Sequence, residues 1–184
     1  MKASEFVTRL LQAAPKKEEL ARLGFNADEA DDFVKLYYCR PRKSPLNLES
    51  LPSSENLTDL FTQWDPGGVR VGPIEFLSEP VATARGLQIG VEEVHPILIS
   101  PQNSEVVVEE YGVAEGHRLS EIASSGDSLL DALAKAAAFL AERVVGKISF
   151  DDFAAARVAA GDCAELAGGK RYLRFFINLL GANE

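Results

Sequence analysis

The period of the hydrophobic pattern changes twice along this sequence, and this constrains the fold more than any other feature. Apolar side chains recur at helical spacing in residues 6–14 and again in residues 129–144. Between these segments, Leu87, Ile89 and Val91 alternate with polar residues or glycine, which is typical of a half-buried strand. Helices, then strands, then helices favour an α+β fold over a parallel, doubly wound sheet. We therefore predict a mostly antiparallel sheet flanked by N-terminal and C-terminal helices.

A hairpin in the middle of the chain gives the strongest strand signal. The compact apolar run of residues 96–100 precedes a polar turn at residues 101–104. Residues 105–111, which include three consecutive valines, supply the partner strand. The apolar stripe of residues 129–144 predicts the helix that covers the sheet.

The chain is predicted to have two parts. Residues 1–146 form the α+β domain, and residues 147–184 form a C-terminal helical extension packed on the same domain. The segment from Tyr172 to Leu180 is apolar nearly all round. This pattern predicts either deep packing or an association surface that would support a homo-oligomer.

Composition and charge restrict the class of function. The 184 residues carry a net charge of −9, which argues against unaided binding of DNA or RNA. No stretch approaches the roughly 18 uncharged apolar residues that a transmembrane helix needs. Glu5 and Arg9 interrupt the apolar N-terminal residues, which indicates an amphipathic helix rather than a signal peptide. We expect a soluble, cytoplasmic protein with no membrane partner.

The two cysteines, Cys39 and Cys163, lie far apart and have neither metal-binding nor redox spacing. We expect two buried thiols, because free cysteine is among the most buried residue types. A disulfide between them is the alternative.

Negative charge is concentrated in the middle of the chain. Residues 44–134 hold fifteen acidic and three basic residues, a net charge of −12, whereas the remaining residues carry a net charge of +3. One interpretation is solubility, because a net charge keeps proteins apart. The other is an acidic face that attracts and binds a basic protein partner.

Residues with catalytic potential are few. The only histidines are His95, at the start of the apolar strand, and His117. Neither has metal-ligand spacing, so we expect no metal and no cofactor. Glu92–Glu93 and Glu109–Glu110 are adjacent pairs, and adjacent residues of a strand point to opposite faces.

Three segments together resemble the SUKH superfamily, which includes yeast cell-wall-assembly regulators and bacterial toxin-immunity proteins. Residues 87–90 and 95–99 are similar to that family's first strands, and residues 104–111 to its second strand after a polar turn. Residues 125–130 stand where the family has the start of its closing helix. The resemblance covers residues 20–145 and carries over no catalytic residue.

The resemblance implies a non-enzymatic binding protein that neutralises a cognate toxin through an acidic surface. We expect the partner-facing residues to be the carboxylates that cluster around the predicted strands: Glu92, Glu93, Glu105, Glu109 and Glu110. One alternative is a small enzyme or small-molecule-binding domain that uses His95 or His117 with carboxylates. Another is a structural or assembly subunit that associates through its apolar last segment.

Overall fold

Helices and strands follow each other along the chain in the predicted order. The computed structural model describes residues 1–48, 54–113 and 116–183. Its α-helices are α1 Ala3–Ala13, α2 Lys17–Arg22, α3 Ala27–Lys35, α4 Glu55–Gln63, α5 Gly126–Val144, α6 Phe153–Leu166 and α7 Leu173–Leu179, with a 3₁₀ turn at Lys170–Tyr172. Its strands are β1 Arg40–Pro41, β2 Trp64–Asp65, β3 Arg70–Val71, β4 Ile74–Thr83, β5 Gly86–Glu92, β6 His95–Ile99, β7 Val106–Glu109 and β8 Arg118–Ala123.

The main sheet has six antiparallel strands in the order β3-β4-β5-β6-β7-β8, so each strand pairs with its neighbours in sequence. The predicted hairpin is β6 and β7, in which Leu98 lies opposite Val107. Strands β1 and β2 form a separate two-stranded pair. The predicted α+β fold is confirmed.

Helix α5 provides the predicted cover of the sheet. Its buried residues Leu129 and Leu133 share one hydrophobic core with Ile97, Val106 and Ile122 of the strands. Burial of alternate strand residues against a helix is the expected result of period-two patterning. The same core includes residues of α1, α4, α6 and α7.

The starts of α4 and α5 are joined by reciprocal hydrogen bonds. The Asp127 carboxylate accepts from the N–H groups of Asn56 (2.9 Å) and Leu57 (3.1 Å) at the start of α4. In return, the Ser54 hydroxyl accepts from the Gly126 N–H at 2.9 Å. First-turn N–H groups have no partner within their own helix, so each helix satisfies donors of the other.

The segment from Tyr172 to Leu180 is packed inside the chain. Tyr172, Phe175, Phe176 and Leu180 are all buried in the common core. Of the two alternatives from sequence, deep packing is the one observed, and these side chains form no exposed association surface. The division of the chain at residue 146 stays a prediction.

Candidate functional site

Both histidines and three of the predicted carboxylates lie at one end of the six-stranded sheet. Glu92 at the end of β5 is the register partner of His95 at the start of β6. The His95 Nδ1 accepts a hydrogen bond from the Tyr111 N–H, with 3.2 Å between the nitrogens. The two-residue loop between β5 and β6, Glu93–Val94, lies at the same end of the sheet.

The group of histidines and carboxylates at this end of the sheet extends into the connection between β7 and β8. The Glu110 N–H donates to the His117 carbonyl at 2.8 Å. The Glu110 Oε2 lies 3.5 Å from the His117 Nδ1. We call this set the acidic rim and define it as Glu92, Glu93, Val94, His95, Glu110, Tyr111 and His117.

Two exposed apolar side chains lie among the charges of the acidic rim. Tyr111 is 71% exposed and Val94 is 61% exposed. Tyrosine is enriched at protein interfaces because it offers a large apolar ring with a polar tip. Neither residue is among those predicted from the sequence, although an aromatic residue directly after an acidic pair at a strand end was the available signal.

Glu93 has a backbone conformation that a glutamate rarely adopts. Its φ angle is +55°, in the left-handed region. It is the first residue of a two-residue hairpin loop, where glycine is usual at positive φ. Left-handed backbone costs roughly 1–2 kcal/mol for a residue with a Cβ atom. The carboxylate therefore stands where local stability alone would favour glycine.

We expect Glu93→Gly to raise the free energy of unfolding by about 0.5–1 kcal/mol. Glycine removes the left-handed penalty, and its greater freedom in the unfolded chain offsets part of that gain. Urea denaturation measures the change. Val94→Gly is the matched control, because Val94 has negative φ, and we expect it to lose stability. A loss of stability in Glu93→Gly would contradict the assignment of strain to this residue.

The acidic rim differs from the rest of the acidic segment in its ionic partners. Within the described residues, no lysine or arginine forms an ion pair with Glu92, Glu93 or Glu110. Elsewhere, bases from outside the acidic segment neutralise its carboxylates, as Arg40 does for Asp65 at 2.6 Å. Pairing with groups outside the segment therefore balances part of the −12 charge inside the molecule, and the acidic rim keeps its own.

Partial burial affects one carboxyl of the rim. Burial raises the pKa of Glu92, the neighbouring Glu93 raises this pKa further, and His95 lowers it. The ionised form is thus disfavoured in the folded chain, and Glu92 takes up a proton at higher pH than an ordinary glutamate. The charge of the rim weakens correspondingly as the pH falls.

Glu105 was expected to face a partner, but the structure buries it. Its Oε1 accepts from Arg171 at 2.8 Å and from the Tyr172 hydroxyl at 3.3 Å. Its Oε2 accepts from the Asn103 side chain at 3.0 Å. The expectation is wrong for Glu105, because the C-terminal segment folds against this end of β7 and takes up the carboxylate.

Glu109 is also buried and does not face a partner. Its Oε2 lies 3.0 Å from the Arg85 guanidinium. Arg85 in turn donates to the Val113 carbonyl at 3.2 Å, which ties the connection after β7 across this carboxylate. Glu110, the residue that follows β7, stays half-exposed.

The rim histidines are arranged at the surface rather than in a cleft. Five surface cavities of about 180 to 480 Å³ are lined by described residues, and neither His95 nor His117 lines any of these five. Within the same residue ranges, no group of three or more His, Cys, Asp or Glu side chains is placed to hold a metal ion.

The cysteines are separate buried thiols in the structure. Cys39 and Cys163 are both free, which excludes the alternative of a disulfide in this fold. Burial raises the pKa of each thiol to about 12, so both stay protonated near neutral pH and are poor nucleophiles.

Comparison of the chain with protein-family models, with curated proteins and with solved structures gives no match. None of the helices in the part of the chain that the structure describes is long and apolar enough to cross a membrane.

Proposed function

We propose that this chain is a non-enzymatic binding protein whose acidic rim binds a basic protein. The observation that carries the proposal is the left-handed Glu93, a carboxylate at the tip of the β5–β6 hairpin, in which His95 accepts a hydrogen bond from the N–H of exposed Tyr111. Conformational strain in a fold is most often retained at functional positions. Together the rim offers an aromatic anchor and carboxylates that attract positive charge.

The resemblance to the SUKH superfamily supports a more specific proposal, namely neutralisation of a toxin. A toxin that cleaves nucleic acid presents a basic surface to phosphates, and an acidic rim competes for that surface. The proposed compartment is the cytoplasm, where two unpaired thiols are the usual state of cysteine.

The experiment compares wild type with the rim variant Glu93→Gln/Glu110→Gln/Tyr111→Ser as baits in lysate of the native host. The protein captured by wild type is identified, purified and titrated against both chains by calorimetry. We expect the rim variant to bind roughly 30-fold more weakly or worse, which is the effect of losing one interface hot spot. We also expect wild-type binding to weaken when the salt concentration is raised.

The matched control is Glu18→Gln/Glu165→Gln/Leu23→Ser, which removes the same number of charges and one exposed apolar side chain away from the acidic rim. We expect this variant to bind like wild type. Equal binding by the rim variant, or capture of no basic protein at either salt concentration, would overturn the proposal.

A further inference from the structure

A cavity of about 270 Å³ lies where the β4–β5 and β6–β7 turns approach strands β7 and β8. Its charged lining consists of Arg85, Glu109 and Arg118, and its apolar lining includes Ala84, Pro101 and Val107. Val106 and Val108 belong to the common core, whereas Val107 between them is buried outside that core. Because successive strand residues point to opposite faces, the cavity lies on the face of the sheet that is turned away from α5.

Positive charge is concentrated at this cavity. The acidic segment has only three bases, Arg70, Arg85 and Arg118, and the last two line the cavity. The Arg118 Nη1 lies 3.6 Å from the Glu105 Oε2 and 3.7 Å from the Glu121 Oε1, and both distances are too long for a hydrogen bond. Among the described residues, none accepts a hydrogen bond from the Arg118 guanidinium. Its N–H donors are therefore available to an anion.

The third charged group of the lining is a buried carboxylate that lacks a hydrogen-bond donor. The Glu109 side chain is only 9% exposed and is the register partner of Arg118. Its Oε2 forms an ion pair of 3.0 Å with Arg85, yet no group in the described part of the chain donates a hydrogen bond to this buried atom. Buried polar atoms are nearly always hydrogen-bonded, so the carboxylate calls for a donor that the fold does not supply.

We propose that this cavity binds a free α-amino acid with a small apolar side chain. The carboxylate of the ligand accepts hydrogen bonds from Arg118, because guanidinium and carboxylate match in geometry and charge. The ammonium group of the ligand donates to Glu109, and its apolar side chain lies against Val107. An anion without a positive group of its own fits less well, since Glu109 repels it.

The size of the cavity limits the ligand to a small one. Its volume of about 270 Å³ lies just below the range of roughly 300–1,000 Å³ that is usual for ligand pockets. This inference does not depend on the function proposed for the acidic rim.

The test is an NMR titration of the full ¹⁵N-labelled chain with L-valine up to about 50 mM, which covers dissociation constants in the millimolar range. We expect saturable shifts of the amide signals of Arg85, Gln102, Glu109 and Arg118. Two further compounds each lack one charged group: 3-methylbutanoate lacks the ammonium, and 2-methylpropan-1-amine lacks the carboxylate. At matched ionic strength, we expect each to bind roughly 10-fold more weakly or worse, because one charged hydrogen-bonding contact is lost.

Two variants of the lining test the role of each charge. Arg118→Gln is expected to weaken L-valine binding roughly 10-fold or more, because it removes the cation that holds the ligand carboxylate. Glu109→Gln should weaken the binding of L-valine but strengthen that of 3-methylbutanoate, since it removes the repulsion of an anion.

Arg70→Gln is the matched control. It removes the third base of the acidic segment, which pairs with Glu75 and does not line the cavity. Arg70 and Arg118 are both exposed, so we expect both variants to fold and Arg70→Gln to bind L-valine like wild type. The proposal would be overturned by the absence of saturable shifts in wild type at about 50 mM L-valine, by equal binding of L-valine and 3-methylbutanoate, or by equal binding of Arg118→Gln and Arg70→Gln.

Discussion

Replacing Arg143 with methionine is expected to lower the free energy of unfolding by about 3 kcal/mol. Arg143 is buried at the end of α5, and its Nη1 donates to the Leu180 carbonyl at 2.6 Å. Its Nη2 donates to the carbonyls of Phe150 at 3.0 Å and Asp152 at 3.4 Å. Methionine keeps an apolar stem but no donor, and each buried group left without a partner costs about 1–3 kcal/mol.

Arg143→Met is also expected to loosen the attachment of the C-terminal extension to α5. The three carbonyls belong to segments on either side of α6, so one side chain fixes both ends of the extension to α5. For a chain of this length, the expected loss corresponds to a fall in Tm of roughly 6–12 °C. Urea denaturation and thermal melting measure it, and limited proteolysis reports whether the extension opens first.

Arg174→Met is the matched control, because Arg174 is exposed on α7. We expect it to change the free energy of unfolding by about 0.5 kcal/mol or less. If Arg143→Met and Arg174→Met had equal stability, the carbonyl contacts of Arg143 would have no energetic role.

The second large effect is expected for Glu105→Ala, which should lose about 3 kcal/mol of stability. Removal of one partner from a buried ionic group typically costs 3–5 kcal/mol, and exposure of Arg171 to solvent reduces that cost here. The buried Tyr172 hydroxyl loses its carboxylate acceptor, and the Asn103 side chain loses its own. We expect Glu105→Gln to lose less, because the amide oxygen still accepts a hydrogen bond.

A double-mutant cycle separates the contact from general loss of packing. Glu105→Ala, Tyr172→Phe and the double variant are unfolded in urea, and we expect a coupling energy of at least about 0.5 kcal/mol. Glu110→Ala, a half-exposed carboxylate of the acidic rim, is the control and is expected to change stability little. Additive effects of the two core substitutions would contradict a direct bond between Glu105 and Tyr172.

The hairpin of β6 and β7 was predictable because its signal is local. Two apolar runs separated by a polar turn leave little choice of partner or register. The helical stripe of α5 is also a local signal, and its Leu129, Leu133 and Ala136 are buried as predicted. In β5 the alternation is only partly reflected in burial, since Ile89 is buried but Leu87 and Val91 are half-buried. The fold class followed from the order of these segments.

Glu105, compared with Glu110, shows where prediction from sequence failed. Both were expected to face a partner, yet Glu105 is buried against Arg171 and Tyr172 while Glu110 stays half-exposed. The residues near Glu105 in the sequence do not indicate its partners Arg171 and Tyr172, because these partners come from the C-terminal segment. Glu109 failed for a similar reason, since Arg85 reaches it from the turn between β4 and β5.

The sequence by itself determined the succession of helices and strands and the concentration of negative charge in the middle of the chain. Only the tertiary structure decided which carboxylates pair with distant bases, as Asp65 does with Arg40 and Glu105 with Arg171, and which have no lysine or arginine partner among the described residues. It also brought His95 and His117 to the same end of the six-stranded sheet and left Phe150 and Val158 exposed on the surface. Periodicity depends on neighbours within a few residues, whereas ion pairing and exposure depend on which distant segments the fold brings together.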